Sequence, residues 1–421
     1  FFFSVIIFFI VGSGFVWDGG LIFVTQKQVR IYCCNTFFAK KYPKKRKRIS
    51  FSIGMGIDLP FLIILLVLLV TGLIMMFSAS YAVAYYNQGD SFFFLKRQLI
   101  FAVIGFVLMM GISYIDYHSL HHLCYVFLGL SYLALFLVLL LPPVNNVHRW
   151  IGVGGYGIQA SEFSKFAIVL FLAHWGSLYY DKMSTIKYGV VPALAVFVST
   201  AVLLVLEPHY SGIVIILLLT VVMLYLAGIN TKWIAVAGVA VVIAFLIAWV
   251  TGLLSYAMTR MEGWGQALEY TTEDMWQTTW QTRNSLYAIG SGGLFGLGLG
   301  NSRQKYGYLP EPQNDFIFAV VCEELGLVGA IVILIIFAAL VYRGVKIALK
   351  APDRFGKLLG IGLISQIGIQ VILNIFVITD WLPNTGISLP FFSYGGSSLV
   401  VLMAQMGVIL SISRHSNIEK A

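Results

Sequence analysis

Four polar segments interrupt an otherwise apolar chain, and each carries side chains able to move a proton or hold a phosphate. The longest reads Gly298-Leu299-Gly300-Asn301-Ser302-Arg303-Gln304-Lys305 and then Tyr308-Leu309-Pro310-Glu311-Pro312-Gln313-Asn314-Asp315. Pro310 and Pro312 stop any preceding helix, and Asp315 directly precedes the apolar run Phe316-Ile317-Phe318-Ala319. A carboxylate there reads first as an N-cap that accepts a backbone N–H, with the helix N-terminus favouring its ionised form. The loose Gly-x-Gly-x-Gly has no strand before it, so no nucleotide fold is implied.

The second segment is Arg149-Trp150-Ile151-Gly152 followed by Gln159-Ala160-Ser161-Glu162-Phe163-Ser164-Lys165. Ser161 reads as an N-cap, which puts Lys165 about one turn inside an apolar helix. A charge there is costly and either functional or snorkelling to the interface. The third is Glu207-Pro208-His209-Tyr210-Ser211-Gly212, a charged break that reads as a tight turn. The fourth, 382–398, is apolar yet rich in Pro, Gly and hydroxyls, Ser393 and Ser397 among them. It reads as a broken or re-entrant stretch, allowed at membrane depth only when covered by protein or lining a wet cavity. Glu323 and Glu324 lie roughly 12–14 Å along a helix beyond Asp315. They need a cation, Lys165 or another, or else line a substrate path. His118, His121 and His122 form no metal set, and Cys33, Cys34, Cys124 and Cys322 have neither metal-ligand nor redox spacing.

The elements that must position these residues are membrane helices. Of 421 residues 59% are hydrophobic and only 11% charged, and the mean hydropathy is +0.88. A soluble chain would need about 25% charge to coat itself. Runs long enough to span a bilayer, about 20 residues each, give an all-α polytopic membrane protein with ten spans. They are expected near 59–78, 98–115, 122–141, 163–180, 188–206, 211–228, 232–251, 316–343, 357–379 and 394–413.

The net charge of +9 does not point to nucleic acid, because the basic residues lie in a block at Lys40–Arg48 and in short loops between spans. Placing that block in the cytoplasm puts Lys182, Lys187, Lys232, Arg343, Lys346, Lys350, Arg354, Lys357 and Arg414 there too. Both termini are then inside and all four polar segments meet the membrane on its outer side. The long connection at 252–315 exceeds an ordinary loop; its Trp264, Trp276 and Trp280 suit the interface, and it should contain helices of its own. The chain begins at Phe1, and Met55-Gly56-Ile57-Asp58 looks like a natural start. Residues 1–54 are therefore read as an atypical extension with a basic cytoplasmic segment, and 55–421 as the membrane domain.

Three stretches in order carry a resemblance: Gly-Leu-Gly-Asn-Ser-Arg-Gln-Lys at 298–305; Leu-Pro-Glu-Pro-Gln-Asn-Asp-Phe-Ile-Phe-Ala at 309–319 with Glu-Glu-Leu-Gly at 323–326; and Leu-Pro-Phe-Phe-Ser-Tyr-Gly-Gly-Ser-Ser at 389–398. With Arg149-Trp150-Ile151 and Ser161 to Lys165, they closely resemble the SEDS family (shape, elongation, division and sporulation), most of all its FtsW cell-division branch. The likeness runs from about Asp58 to the C-terminus. It departs from the common pattern at Pro312-Gln313-Asn314, where many members have Ala-His-Thr, and at Glu207-Pro208-His209, where many have Gln-Pro-Asp.

The resemblance implies a peptidoglycan glycosyltransferase of the cytoplasmic membrane, active on its outer face, that polymerises lipid II into β-1,4 glycan strands for the division septum. It implies Asp315 as the catalytic residue. Arg149, Lys165, Arg303, Lys305, Glu311, Ser393 and Ser397 are candidates for binding substrate. No cofactor is assigned, and a divalent cation (Mg or Mn) at the leaving diphosphate stays open. The partners implied are a class B penicillin-binding protein and other divisome proteins. A lipid II flippase and a non-enzymatic division scaffold remain as alternatives.

Overall fold

The computed structural model describes residues 56–142, 149–153, 156–250, 252, 261, 263–269 and 273–416. The extension over 1–54 lies outside them. Asp58 sets the first helix, α1 (Leu59–Gln88): its carboxylate accepts from the Phe61 N–H at 3.0 Å, and Pro60 sits in the first turn where its missing N–H costs nothing. Gly89, at φ 70°, ends it. α1 thus runs ten residues past the expected 59–78, because Tyr81 to Gln88 are polar enough to read as a loop but contain no helix breaker.

The chain continues with α2 (Phe93–Tyr114) and α3 (His118–Leu140), then a hairpin of β1 (Trp150–Val153) and β2 (Tyr156–Gln159). After it come α4 (Ala160–Leu178), α5 (Val191–Leu206), α6 (Tyr210–Leu226) and α7 (Thr231–Val250). The last four helices are α8 (Glu273–Ser291), α9 (Ile317–Leu349), α10 (Arg354–Ile378) and α11 (Gly396–His415). Ten of these eleven match the ten expected spans within a few residues at most ends. The other, α8, is the helix anticipated inside the long connection.

Among the described residues, seven helices are long and apolar enough to cross a membrane by length and composition. Burial sorts them: about three-quarters of the α10 and α11 spans is buried inside the protein, against 22–39% of the other five. α10 is accordingly central, packed on α4, α6, α9 and α11. The outer helices expose apolar stripes at helical spacing, such as Leu59, Ile63, Val67, Val70 and Ile74 on α1. Apolar surface of this extent is compatible only with a lipid surround, so the chain is a multi-pass membrane protein.

The end of the bundle remote from the hairpin is tied by charge. Arg343 forks onto Asp58 (3.0 and 2.8 Å), and Asp353 caps α10 through Gly356 N–H (3.0 Å) while accepting the Tyr117 hydroxyl.

α9 is not one helix. Gly326, at φ 67° and ψ −172°, breaks it into an outer segment of nine residues and a long inner one. The chain following α8 fills the break. Leu297 and Gly298 donate to the Glu323 and Glu324 carbonyls (both 3.0 Å), and Gly293 and Leu294 accept from Leu327 and Val328 (2.9 and 3.1 Å). The approach is so close that a Cβ on Gly326 would sit 2.3 Å from the Gly296 nitrogen.

Gly326→Ala should therefore cost about 1–3 kcal/mol for a backbone region that only glycine occupies freely, and more if the loop is displaced. Thermal unfolding in detergent should show a lower midpoint. Gly111→Ala on α2, where a Cβ meets nothing within 4 Å, should leave the midpoint unchanged or raise it.

Candidate functional site

Residues 309–316 form a turn rather than a helix end. Glu311 adopts φ 49°, and its carboxylate accepts from the side-chain amides of Gln313 (2.8 Å) and Asn314 (3.0 Å). The next three carbonyls are each held from outside the turn. Tyr394 N–H donates to Gln313 (2.8 Å), Ser393 Oγ to Asn314 (2.7 Å) and Asn374 Nδ2 to Asp315 (2.7 Å). Asn374 also donates to Ile387 at 2.7 Å, and Ser393 Oγ accepts from Leu389 N–H at 2.7 Å. The irregular 380–395 segment and α10 together thus fix the backbone that presents half-buried Asp315. The expected N-cap is displaced by one position: α9 begins at Ile317, its N-cap is Phe316, and no side chain makes the cap bond.

The 380–395 segment is the broken stretch expected from its composition. Phe391 and Phe392 are buried, and the Phe391 carbonyl lies where a Cβ on Gly72 of α1 would be, 2.3 Å away. Gln98 of α2 supports its far end, donating to Ser393 O (3.4 Å) and accepting from Gly395 N–H (3.3 Å). A small pocket opens against this segment, lined by Glu162, Gln370, Ser388, Phe391, Ser393 and Ser398 with apolar neighbours. Ser393 is common to the pocket and to the bond that holds Asn314, so the pocket lies beside the Asp315 turn.

Lys165 enters from α4, buried and paired with Glu162 at 2.7 Å. Ser161, expected as the cap of that helix, is not; Gln159 takes the position without a cap bond. Arg149 donates to the Pro208 carbonyl, which brings the hairpin onto the α5–α6 turn. In that turn Glu207 is wholly buried, and neither carboxylate oxygen has a hydrogen-bond partner. Burial pushes its carboxyl up to about 8, against the pull of Arg149. Burial, then the Arg149 and Lys165 charges, hold His209 well below the usual imidazole range. Both shifts favour the uncharged forms, so the turn is poorly suited to neutralise the cations beside it.

The remaining candidates sit differently. Ser397 Oγ accepts from Gln159 N–H (3.2 Å) and joins α11 to β2. Glu311 braces its own turn. Arg303 is exposed, with its backbone N–H on Glu323 (2.9 Å). Lys305 is fully buried against Glu324 at 2.6 Å, so in this conformation its ammonium faces protein. Glu324 finds its cation in Lys305, not Lys165, while Glu323 is met by the Ser302 hydroxyl and the Arg303 and Gln304 N–H groups.

Sequence reasoning passed over Gln98, Gln370 and Asn374. Gln366, Gln370 and Asn374 repeat every four residues in apolar α10, and that polar stripe was the available signal. It also passed over the hairpin, which the alternation on either side of Gly154-Gly155 marks. Among the described residues no group of three or more His, Cys, Asp or Glu is placed to hold a metal ion.

The fold and site define a polytopic membrane protein with a polar pocket at one end of its bundle, beside a rigidly held aspartate. Residues 59–418 match the model of the cell cycle protein family that groups FtsW, RodA and SpoVE, and the chain belongs to that family. It is 42% identical over 363 residues to stage V sporulation protein E of Bacillus subtilis, covering 85% of this chain and 97% of that one. It is 36% identical over 357 residues to the probable peptidoglycan glycosyltransferase FtsW of the same organism, covering 81% and 87%. Among solved structures, Thermus thermophilus rod shape determining protein RodA superposes with a TM-score of 0.62 at 24% identity, over 86% of this chain and 99% of that one. A chain from a peptidoglycan synthase complex, whose structure addresses polymerization and crosslinking, gives 0.69 at 22% identity, over 87% and 100%. These two show the shared fold.

A carboxyl whose folded value is raised favours the native state at low pH, and that advantage is lost as pH rises through the folded value. Glu207 should therefore make the protein less stable between about pH 4.5 and pH 8. Glu207→Gln should match the parent at pH 4.5 and exceed it in thermal midpoint at pH 8.5.

Proposed function

We propose that the chain is a peptidoglycan glycosyltransferase that polymerises lipid II, with Asp315 as the base. The observation that carries this is the serial anchoring of the Gln313, Asn314 and Asp315 carbonyls beside the Glu162–Ser393 pocket. Such anchoring holds a carboxylate at a fixed place, which proton transfer requires. The names of the FtsW relatives supply the reaction class.

In this reading donor and acceptor keep their undecaprenyl tails in the bilayer while their sugars meet at the pocket. The acceptor's GlcNAc 4-oxygen attacks the donor's MurNAc anomeric carbon and Asp315 takes the hydroxyl proton. The new C–O bond forms as the bond to diphosphate breaks, and the electron pair leaves on the diphosphate oxygen. One displacement inverts the α-linked donor to a β-1,4 product without a covalent intermediate. Diphosphate is a good leaving group that mainly needs positive charge. Arg149 and Lys165 supply it beside Glu207 and His209, whose burial favours the uncharged forms, and Arg303 adds an exposed guanidinium at the loop. Ser393, Ser397 and Glu311 act through the backbone they hold. No step is routed through a metal ion.

The site end is assigned to the outer face of the cytoplasmic membrane. Lys182, Lys187, Lys232, Arg343, Lys346, Lys350, Arg354, Lys357 and Arg414 all belong to the opposite ends of the helices. A class B penicillin-binding protein is the proposed crosslinking partner, and division or sporulation the setting, as the relatives' names suggest.

Asp315→Asn should lower polymer formation from purified lipid II by at least about 100-fold, the scale of a lost general base, with folding and detergent elution unchanged. Detergent has no membrane sides, so polymerisation by the solubilised parent excludes a pure flippase or scaffold. Full activity of Asp315→Asn would remove Asp315 from the mechanism.

A further inference from the structure

Between Asp315 and the break at Gly326, α9 carries two adjacent carboxylates, Glu323 and Glu324, both fully buried. Most of their partners come from one short stretch of the preceding loop. Ser302 Oγ donates to Glu323 Oε2 (2.5 Å) and Arg303 N–H to Glu323 Oε1 (2.9 Å). Gln304 N–H donates to Glu323 Oε2 (3.4 Å) and Ser302 N–H to Glu324 Oε1 (3.3 Å). Three successive backbone N–H groups thus converge on two carboxylates, an anion nest filled by the protein's own acids. Lys305 Nζ closes it, at 2.6 Å from Glu324 Oε1 and 2.7 Å from the Gly300 carbonyl, under the Tyr81 ring at 4.7 Å. Ser78 of α1 donates to the other Glu324 oxygen at 2.6 Å.

We propose that Lys305 is a positioning residue for the polymerisation reaction, acting through Glu324 to lock the outer segment of α9, and with it Asp315, against the 298–305 loop and α1. The inference rests on the polymerase reading but makes a prediction that can be read without it. The outer segment is only nine residues long and its backbone is interrupted at Gly326, so the long inner helix does not fix its angle. The carboxylate network does, together with the Leu297 and Gly298 backbone bonds to the Glu323 and Glu324 carbonyls. A cation whose bonds all go to protein acts on substrate only through what it holds.

The geometry separates this role from direct contact with the leaving diphosphate. Removing Lys305 alone strands a buried carboxylate, whereas removing both charges restores a neutral, well-filled site. Lys305→Met should lower turnover on purified lipid II more than 10-fold with little change in the substrate concentration for half-maximal rate. In the same variant hydrogen–deuterium exchange should rise across residues 311–316. Lys305→Met combined with Glu324→Gln should regain most of the turnover and most of the protection. Exchange does not depend on catalysis, so an inactive parent would sink the polymerase reading while leaving the lock to be read from protection alone. A double variant that recovers protection but stays as slow as Lys305→Met would overturn the proposal, since Lys305 would then act on substrate directly. So would unchanged exchange in the single variant.

Discussion

The backbone N–H and C=O groups freed where α9 breaks at Gly326 have no water to turn to in a bilayer, and each left unpaired would cost several kcal/mol. The chain meets this demand with its own loop. Residues 293–298 lie against 323–328 in four backbone hydrogen bonds, and glycines at 292, 296 and 326 let main chain touch main chain. The route of the 292–316 connection follows from that pairing. Once the loop is pinned to the break, residues 300–305 fall on Glu323 and Glu324, and the turn at 311–316 falls on the 389–394 segment.

The second irregular segment obeys the same rule with side chains instead of backbone. Between α10 and α11 the chain is non-helical and largely buried, and its polar groups are met by Gln98, Asn374 and Ser393. These residues pair the buried main chain and also hold the Asp315 turn. Satisfying the backbone and building the site are therefore one task. That accounts for conventional amides and hydroxyls, rather than charges, doing most of the holding around the pocket.

How much of this could be read beforehand follows from the kind of signal. Ten spans were legible because a run of about 20 apolar residues has few other uses, and the four polar segments stood out against them. The long tail of α1 was missed because length beyond the bilayer carries no hydropathy signal. The cation partner of Glu324 was missed because Lys305 lies in a loop whose path depends on the Gly326 break, and a glycine inside an apolar run does not announce positive φ. Asn374 and Gln370 were missed because amides count as mildly polar in any hydropathy sum, although their four-residue spacing was visible. The motif itself located Asp315. What holds it could be seen only once segments about 60 and 80 residues downstream were brought beside it.

Charge is distributed by the same economy. Near the α4 and hairpin side, burial favours the uncharged forms of Glu207 and His209, and Glu162 pairs with Lys165. Near α9 the reverse holds, with two carboxylates facing one ammonium, and backbone N–H groups supply the missing positive partners. A mobile cation in that second site would be drawn into the carboxylates and be of no use to a substrate. Lys305 is turned inward onto Glu324, whereas Arg149 and Lys165 belong to the hairpin and α4. The two sets lie on different elements and share no hydrogen-bond partner among those described.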